Sequence, residues 1–319
     1  MQAGSALPTV NVIVPLYNEE SIVVALFTRI SAIQSPKANI QWIFVDDGSE
    51  DHTLVAVHNA ADRLQHWKIV RLTRNSGQQQ AYRAGLSQAE GDAVVFLDAD
   101  LQDPPELIPE MIDMWTTGAK LVIPRRRTRK EKGISRWKFM LFHFAFHHMT
   151  GGVMPSNTGT FGLMDKTIVA RLNAMPEYSV FLQALRCCVG HRPIFLWYDR
   201  DERIGGRVKQ TMRRLMGQGW DALTSFSETP LHMISYAGMI ISFLSMLYMI
   251  VLLFMKFAQM FGYLTYLSVL GFTTIAVAIL FLGGIQLIAI GILGEYIARI
   301  YLEVKRRPPY IIETIEQSS

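Results

Sequence analysis

At 319 residues the chain is long enough for about two folded units. Its formal net charge is only +4, and no recognition motif accompanies its basic residues, which argues against nucleic acid as a partner. The only two cysteines, Cys187 and Cys188, are adjacent and lack metal-ligand spacing, so they exclude a disulfide framework and read as two ordinary buried thiols.

The N-terminal MQAGSALPTVNV has no charged region followed by a long apolar run and does not read as a signal peptide. From there short apolar strands alternate with helical segments. VNVIVPL (10–16) is a strand, and EESIVVALFTRISAI (19–33) carries helical periodicity. IQWIFVDDGS (40–49) is a strand meeting a turn, followed by a helix in SEDHTLVAVHNAADRLQ. KIVRLTR (68–74) and DAVVFLDAD (92–100) are strands three and four, with the helix AYRAGLSQAEG (81–91) between them. Continuous apolar strands separated by helices predict an α/β fold, a mostly parallel sheet covered on both faces. Ligands bind such sheets beyond the carboxyl ends of the strands. Polar residues gather there: Tyr17, Asn18 and Glu19 after the first strand, Asp46 and Asp47 after the second, Asp98 and Asp100 after the fourth.

Farther on, ISRWKFMLFHFAFHHMT (134–150) mixes aromatic residues with Lys and His and reads as an interfacial membrane helix, as does 209–229. His143 and His147 stand four apart, but no third ligand motif supports a metal. Two apolar segments, 231–255 and 266–293, each exceed the ~20 residues needed to span hydrocarbon. The short linker KFAQMFGYLT makes them a hairpin, and Gly283-Gly284, Gly291 and Gly294 permit close helix contact. Basic clusters flank them: RRRTRK (125–130), R-x-K at 136–138 and 207–209, RR at 213–214 and KRR at 305–307. Anionic lipid or phosphate is the partner these favour, and the positive-inside rule places both ends of the hairpin in the cytoplasm. The expected organisation is a cytoplasmic domain over 1–229, two transmembrane helices within 230–296 and a basic tail over 297–319.

Asp98-Ala-Asp100 ends a buried strand with two carboxylates that cannot both be desolvated as ions without a counter-charge. A divalent cation supplies one, since Asp and Gln oxygens are hard ligands suited to Mg²⁺ or Mn²⁺, which keep waters and bind phosphate oxygens. A capped turn ahead of Pro104-Pro105 is the plain alternative. The D-x-D gains weight because the other strand ends converge on the same edge.

PLYNEE, VDDGSED, RLTRNSGQQQAYRAGL and LDADLQDPPELI, in that order, resemble the family-2 glycosyltransferases with the GT-A fold. The continuation NTGTFGLMDK, two spans and LGEYIARIYLEVKRRPPY narrow the resemblance to the bacterial polyisoprenyl-phosphate glycosyltransferases, the bactoprenol glucosyltransferase and dolichyl-phosphate mannose synthase group. It covers nearly the whole chain and implies roles at matching positions. Pro15, Tyr17, Glu19, Asp46 and Asp47 would hold the nucleotide, with Asp98 between nucleotide and metal. Asp100, Asp98 and Gln102 would surround Mg²⁺ or Mn²⁺ and the diphosphate. Arg125 and Arg126, after the strand AKLVIP, would lie near the donor or acceptor phosphate. Lys209 falls where the family has a phosphate-contacting lysine, in IGGRVKQ, whose Gly205-Gly206 suits a moving loop. Thr160, Asp165 and Arg207 fall on the acceptor side, with a turn or helix cap as the other reading of Asp165 in LMDK.

Two departures stand out. Relatives commonly carry an aspartate in N-T-G-D-F where this chain has Thr160, and an arginine before the phenylalanine matching Phe181, where this chain has Ser179-Val180. A lipid monophosphate has a second pKa of about 6, so much of it is already dianionic and a strong general base is not obligatory. The resemblance therefore implies a metal-dependent, inverting transferase at the bacterial inner membrane. It would move a hexose, glucose by default, from a UDP-sugar to undecaprenyl phosphate for cell-envelope glycan modification. A homo-oligomer, a flippase and a downstream glycosyltransferase are the implied protein partners. Two rivals remain: a catalytically weakened sugar-nucleotide-binding scaffold, motivated by Thr160, and a processive polysaccharide synthase. The latter is disfavoured by two spans and no Q-x-x-R-W.

Overall fold

The computed structural model describes residues 7–127, 155, 158–175, 177, 181–199, 229–261 and 271–318. The expected interfacial helices, 134–150 and 209–229, lie outside these residues except for Thr229, as do Arg207 and Lys209. The chain forms two compact units. One comprises Met1–Gly217 with Arg306–Ser319, and the other Gln218–Lys305.

The first unit is built on strands β1 (Thr9–Leu16), β2 (Asn39–Asp46), β3 (Trp67–Leu72) and β4 (Ala93–Phe96), all parallel, in the spatial order β4-β1-β2-β3. Their apolar runs are buried almost without interruption, as strands covered on both faces must be. Helices α1 (Glu20–Ile30), α2 (Thr53–Ala61) and α3 (Gln78–Ser87) connect them. On one face Phe27 of α1 stacks on Phe44 of β2 with centroids 4.7 Å apart, in a core that includes Val12, Val14, Leu26 and Ile30. On the other, α3 lies close enough to the sheet that a Cβ on Gly85 would run into Ile13 Cγ2 and come within 3.1 Å of Val45 Cγ2. Gly85→Ala should therefore overpack this contact and cost about 1–3 kcal/mol. A thermal melt of the purified variant, lower than wild type, checks it.

After α4 (Ile108–Thr116), β5 (Leu121–Arg126), β6 (Gly162–Asp165) and β7 (Ile194–Tyr198) extend the sheet beyond β4, with α5 (Lys166–Ala174) and α6 (Leu182–Cys188) between the last two. The complete order is β7-β5-β6-β4-β1-β2-β3-β8, with β6 and β8 running against the other six strands. This is the expected α/β architecture, a mostly parallel mixed sheet.

Three local differences from the sequence reading have physical causes. β4 stops at Phe96, so the D-x-D sits on a turn beyond the ladder. Helix α3 starts at Gln78, three residues before the apolar pattern begins, because Asp47 caps the backbone just ahead of it. Residues 312–317, read as part of a basic tail, form β8 (Ile312–Gln317), antiparallel to β3. The cysteines also differ from the buried pair expected: Cys187 is half-buried and Cys188 exposed, both as free thiols.

The second unit holds α7 (Thr229–Met260) and α8 (Gly271–Lys305). Each is long and apolar enough to cross a membrane, over Ile234–Leu252 and Phe281–Lys305, and neither stretch is buried within the protein. Phe243, Phe254, Ile279, Leu287 and Ile290 are all more than half exposed. Apolar surface of that extent marks a membrane or protein contact.

Candidate active site

The strand order reverses between β1 and β4, both of which leave the sheet in the same direction. Such a switch point opens a crevice at the carboxyl ends. The last ladder bond here runs from Leu97 N to Ile13 O, after which β4 turns away. Pro15, two residues beyond Ile13 and on the same side of β1, has no N–H to offer a neighbour, and none is needed where β4 has ended. Its ring is buried opposite Val45. Pro15 thus shapes the crevice from inside the sheet.

Asp98 and Asp100 line the turn that follows. Asp98 Oδ1 accepts hydrogen bonds from Gln78 Nε2 at 2.7 Å and from Tyr82 Oη at 2.6 Å. Burial, then the charge of Asp98, push the Tyr82 phenol well above its ordinary pKa, so it stays a donor. Asp100 Oδ1 accepts the Gln102 amide at 3.1 Å. Between them Leu101 is fully buried with φ of 57°, a conformation a bulky residue adopts only under constraint. Its side chain plugs into the core and fixes the turn that carries the two carboxylates. Gln102 is half-buried, and its amide helps hold Asp100 in place. Tyr82→Phe removes a hydrogen-bond donor to Asp98. A hydrogen bond to a charged group of this kind is expected to lower kcat/KM about tenfold, read in a transfer assay.

The adjacent carboxylates after β2 divide their work. Asp47 accepts the Ser76 amide at 2.7 Å on Oδ1 and the Gly77 amide at 2.9 Å on Oδ2, so both oxygens cap the approach to α3. Burial raises its pKa, and the neighbouring Asp46 adds to the rise. Asp47 therefore positions α3, the helix that presents Gln78 and Tyr82. Asp46 Oδ1 accepts the Ser49 amide at 3.3 Å, while Oδ2 is buried without a hydrogen-bond partner among the described residues. An orphaned buried acceptor at a strand end is suited to an N–H group of a ligand. Beside it, Ser49 Oγ accepts the Asn18 amide, Asn18 Oδ1 accepts the Glu50 amide, and Thr53 Oγ1 accepts the Glu19 amide. These bonds stitch the Tyr17–Glu19 turn, with Tyr17 half-buried, to the Asp46–Thr53 loop.

The two arginines of β5 part company. Arg126 Nε donates to Tyr198 Oη at 3.1 Å and Nη2 to Asp103 Oδ1 at 3.4 Å, while Tyr198 Oη donates to Asp103. Burial opposes the charge of Arg126, but Asp103 and Tyr198 together outweigh it and raise its pKa. Asp103 is itself buried, so this is an internal ion pair that neutralises Arg126. Arg125 instead lies over the rings of Phe195 and Trp197, 5.2 and 4.9 Å from their centroids. Of these two arginines, only Arg125 keeps its charge unpaired by a carboxylate among the described residues.

Thr160 is buried, and its Oγ1 accepts from Gln183 Nε2 at 2.7 Å. The backbone around it is held by Arg186, 1% exposed, whose guanidinium donates to the carbonyls of Gly159 (2.5 Å), Thr160 (2.7 Å) and Phe161 (3.4 Å). Burial lowers the pKa of Arg186, and among the described residues no carboxylate pairs with it.

Of the two readings of Asp165, the structure shows the helix cap and not the acceptor-side carboxylate. β6 runs antiparallel to β4, and Asp165 pairs with Ala93 at the amino end of β4, the opposite end of the sheet from Asp98. It caps α5, accepting from Thr167 N at 3.0 Å, and also accepts from Trp115 Nε1 and Lys120 Nζ. Burial raises its pKa, but the bonds from Trp115, Thr167 and Lys120 outweigh it and hold the carboxyl well below the usual range. Its stabilising contribution is therefore complete above about pH 4 and is lost as pH falls further. Asp165→Asn should be less stable than wild type at pH 7, with the gap narrowing in acid melts.

Gln78, Tyr82, Asp103, Arg186 and Tyr198 escaped the sequence reading. For Gln78 the signal lay in the glutamine run after RNSG, whose second member, Gln79, also accepts the Leu182 amide at 3.0 Å.

Among the described residues no group of three or more His, Cys, Asp or Glu is arranged to hold a metal. The Asp98–Asp100 turn nonetheless fits Mg²⁺ or Mn²⁺. It offers two hard carboxylates, and these ions are commonly bound by one or two carboxylates with water and substrate phosphate completing the shell.

A family model described as glycosyl transferase family 2 matches residues 11–172. The bactoprenol glucosyl transferase of Shigella phage SfV is 35% identical over 97% of this chain and 99% of its own. Among solved structures, the mannosyltransferase PcManGT from Pyrobaculum calidifontis, in complex with GDP-Man and Mn²⁺, covers 69% of this chain and 64% of its own, with a TM-score of 0.51 at 21% identity. Glucosyl-3-phosphoglycerate synthase from Mycobacterium tuberculosis, in complex with Mn²⁺, UDP and phosphoglyceric acid, covers 68% and 76%, also at 0.51, with 18% identity.

Proposed function

The chain belongs to glycosyl transferase family 2, and on that premise we propose that it transfers a hexose from a UDP-sugar to a polyprenyl phosphate at the cytoplasmic face of a membrane. The observation that carries the reading is the Asp98–Asp100 turn, held beside the β1/β4 crevice with the orphaned Asp46 acceptor at the same sheet edge. The phage relative's name supports bactoprenol as acceptor and glucose as the sugar, and the UDP-bound neighbour supports the nucleotide. Helices α7 and α8, with Lys305 ending α8 and Arg306 and Arg307 after it, support two crossings with both ends in the cytoplasm.

In this reading Asp46 Oδ2 accepts an N–H of the base, and Tyr17 lies against the nucleotide. Asp98 and Asp100 would hold a divalent cation, which when bound supplies positive charge to the departing diphosphate. Gln78 and Tyr82 keep Asp98 aimed, and the buried Leu101 fixes its spacing from Asp100. A phosphate oxygen of the lipid forms the new bond to the anomeric carbon as the bond to UDP breaks on the opposite face, inverting the centre. The phosphate dianion needs no strong base, so the protein's work is alignment and charge. Arg125, whose charge no carboxylate claims, and Lys209 are the candidates to attract the lipid phosphate.

The test is transfer of labelled sugar from a panel of UDP-hexoses to undecaprenyl phosphate, by purified protein in detergent with Mn²⁺ or Mg²⁺ and with EDTA. Metal-dependent formation of a lipid-linked monosaccharide is expected. UDP binding without product across the panel would reject transfer and leave a nucleotide-binding scaffold.

A further inference from the structure

We infer that the C-terminal strand β8 belongs to the donor-binding apparatus, with Glu313 and Arg71 acting as positioning residues for Asp46. The inference rests on the donor reading above. Asp46 and Arg71 are register partners on β2 and β3, and Arg71 Nε stands 3.8 Å from Asp46 Oδ2. The same Nε stands 3.3 Å from Glu313 Oε2 and makes a hydrogen bond to neither carboxylate. Arg71 is thus shared between a buried carboxylate at the crevice and a half-exposed one on the last strand of the chain.

The placement follows from how β8 docks. Its ladder with β3 shifts register between Arg71 and Leu72, and the Thr73 amide donates to Ile311 O just beyond. A bulge of this kind re-aims side chains beside it. Here it accompanies the meeting of Glu313 with the Arg71 head group.

The electrostatic consequence has a definite sign. Asp46 is buried next to Asp47, and a buried carboxylate there is stabilised by a nearby cation. Arg71 is that cation. If Arg71 closed fully onto Oδ2, however, it would take the acceptor that a base N–H requires. Glu313 draws Arg71 the other way and keeps Oδ2 open. Both residues act through Asp46 and touch no substrate themselves.

UDP binding to the full-length protein in detergent, measured by titration calorimetry, tests this without an acceptor or turnover. Glu313→Gln and Arg71→Gln should each weaken UDP binding about threefold to tenfold, and the double variant should be no weaker than Arg71→Gln alone. Arg71→Lys should restore most of the loss. Glu316→Gln is the control for strand docking. It lies on the same strand, 3.7 Å from His58 and away from Arg71, and should leave UDP binding unchanged. In the transfer assay Glu313→Gln should raise KM for the UDP-sugar with kcat unchanged. Wild type that binds UDP while Glu313→Gln binds identically, additive effects in the double variant, or equal losses in Glu316→Gln would each overturn the inference alone. Wild type that binds no UDP would overturn the donor reading and this inference with it.

Discussion

Asp100→Ala should lower sugar transfer by about a thousandfold or more, the loss expected when charge stabilisation of a leaving group is removed, while the protein still folds and inserts. The two halves of this expectation rest on different contacts. Among the described residues Asp100 makes one hydrogen bond, accepting from the Gln102 amide two residues away, and it lies on a turn outside the ladder. Losing such a half-buried local bond costs about 1 kcal/mol. The leaving diphosphate, by contrast, would lose the carboxylate that holds its counter-ion. Asp100→Asn is the sharper variant, because it retains the shape and removes the charge. Initial rates with Mn²⁺ titrated over a wide range, beside thermal melts, separate the two effects. An unchanged melt with activity near the EDTA background supports the metal role. Full activity in either variant would reject it.

The largest stability effect is expected at Arg186. Arg186→Met keeps an apolar chain in the pocket but leaves the carbonyls of Gly159, Thr160 and Phe161 without their shared donor. Two effects compete. Removing a buried charge that has no carboxylate partner relieves a desolvation penalty of several kcal/mol. Against that, each orphaned buried acceptor costs about 1–3 kcal/mol, and two of them beside the half-buried Gly159 carbonyl outweigh the relief. A net loss of about 3–5 kcal/mol is expected, in line with other buried charged networks that lose one member. Arg186→Lys, with a single head group for three carbonyls, should fall between. Denaturation of the purified variants orders them. A variant with methionine as stable as wild type would show that the guanidinium carries no structural weight.

The features legible in the sequence were those encoded locally. Four apolar runs ending in polar residues predicted the parallel sheet and its ligand edge, and the D-x-D after VVFL marked the turn that the structure places there. What escaped depends on partners far along the chain. Nothing near Asp165 in sequence shows that β6 runs backwards, yet that reversal sends it to the far end of the sheet. Asp46 and Asp47 are indistinguishable as letters; a cap on amides 29 and 30 residues away tells them apart. Arg126 looked like a phosphate ligand because Asp103 and Tyr198, which neutralise it, lie 23 residues upstream and 72 downstream. β8 was missed for a different reason. IETIEQ is an edge strand with most of its length exposed, so its alternation of apolar and polar residues is faint beside the charged KRRPP that precedes it.

That last strand changes what it means to cut the protein down. Because residues 306–319 fold with the first unit, Gln218–Lys305 is an insertion within a discontinuous domain and not an appendage. Stopping the chain at Gly217 would discard β8 along with the hairpin and uncover the backbone of β3, an open edge that invites aggregation. A water-soluble catalytic fragment would instead require splicing Gly217 to Arg306 through a linker, so that β3 keeps its partner. By the same logic, a protease nick between 218 and 305 would leave two fragments that share one sheet and travel together until denaturant separates them.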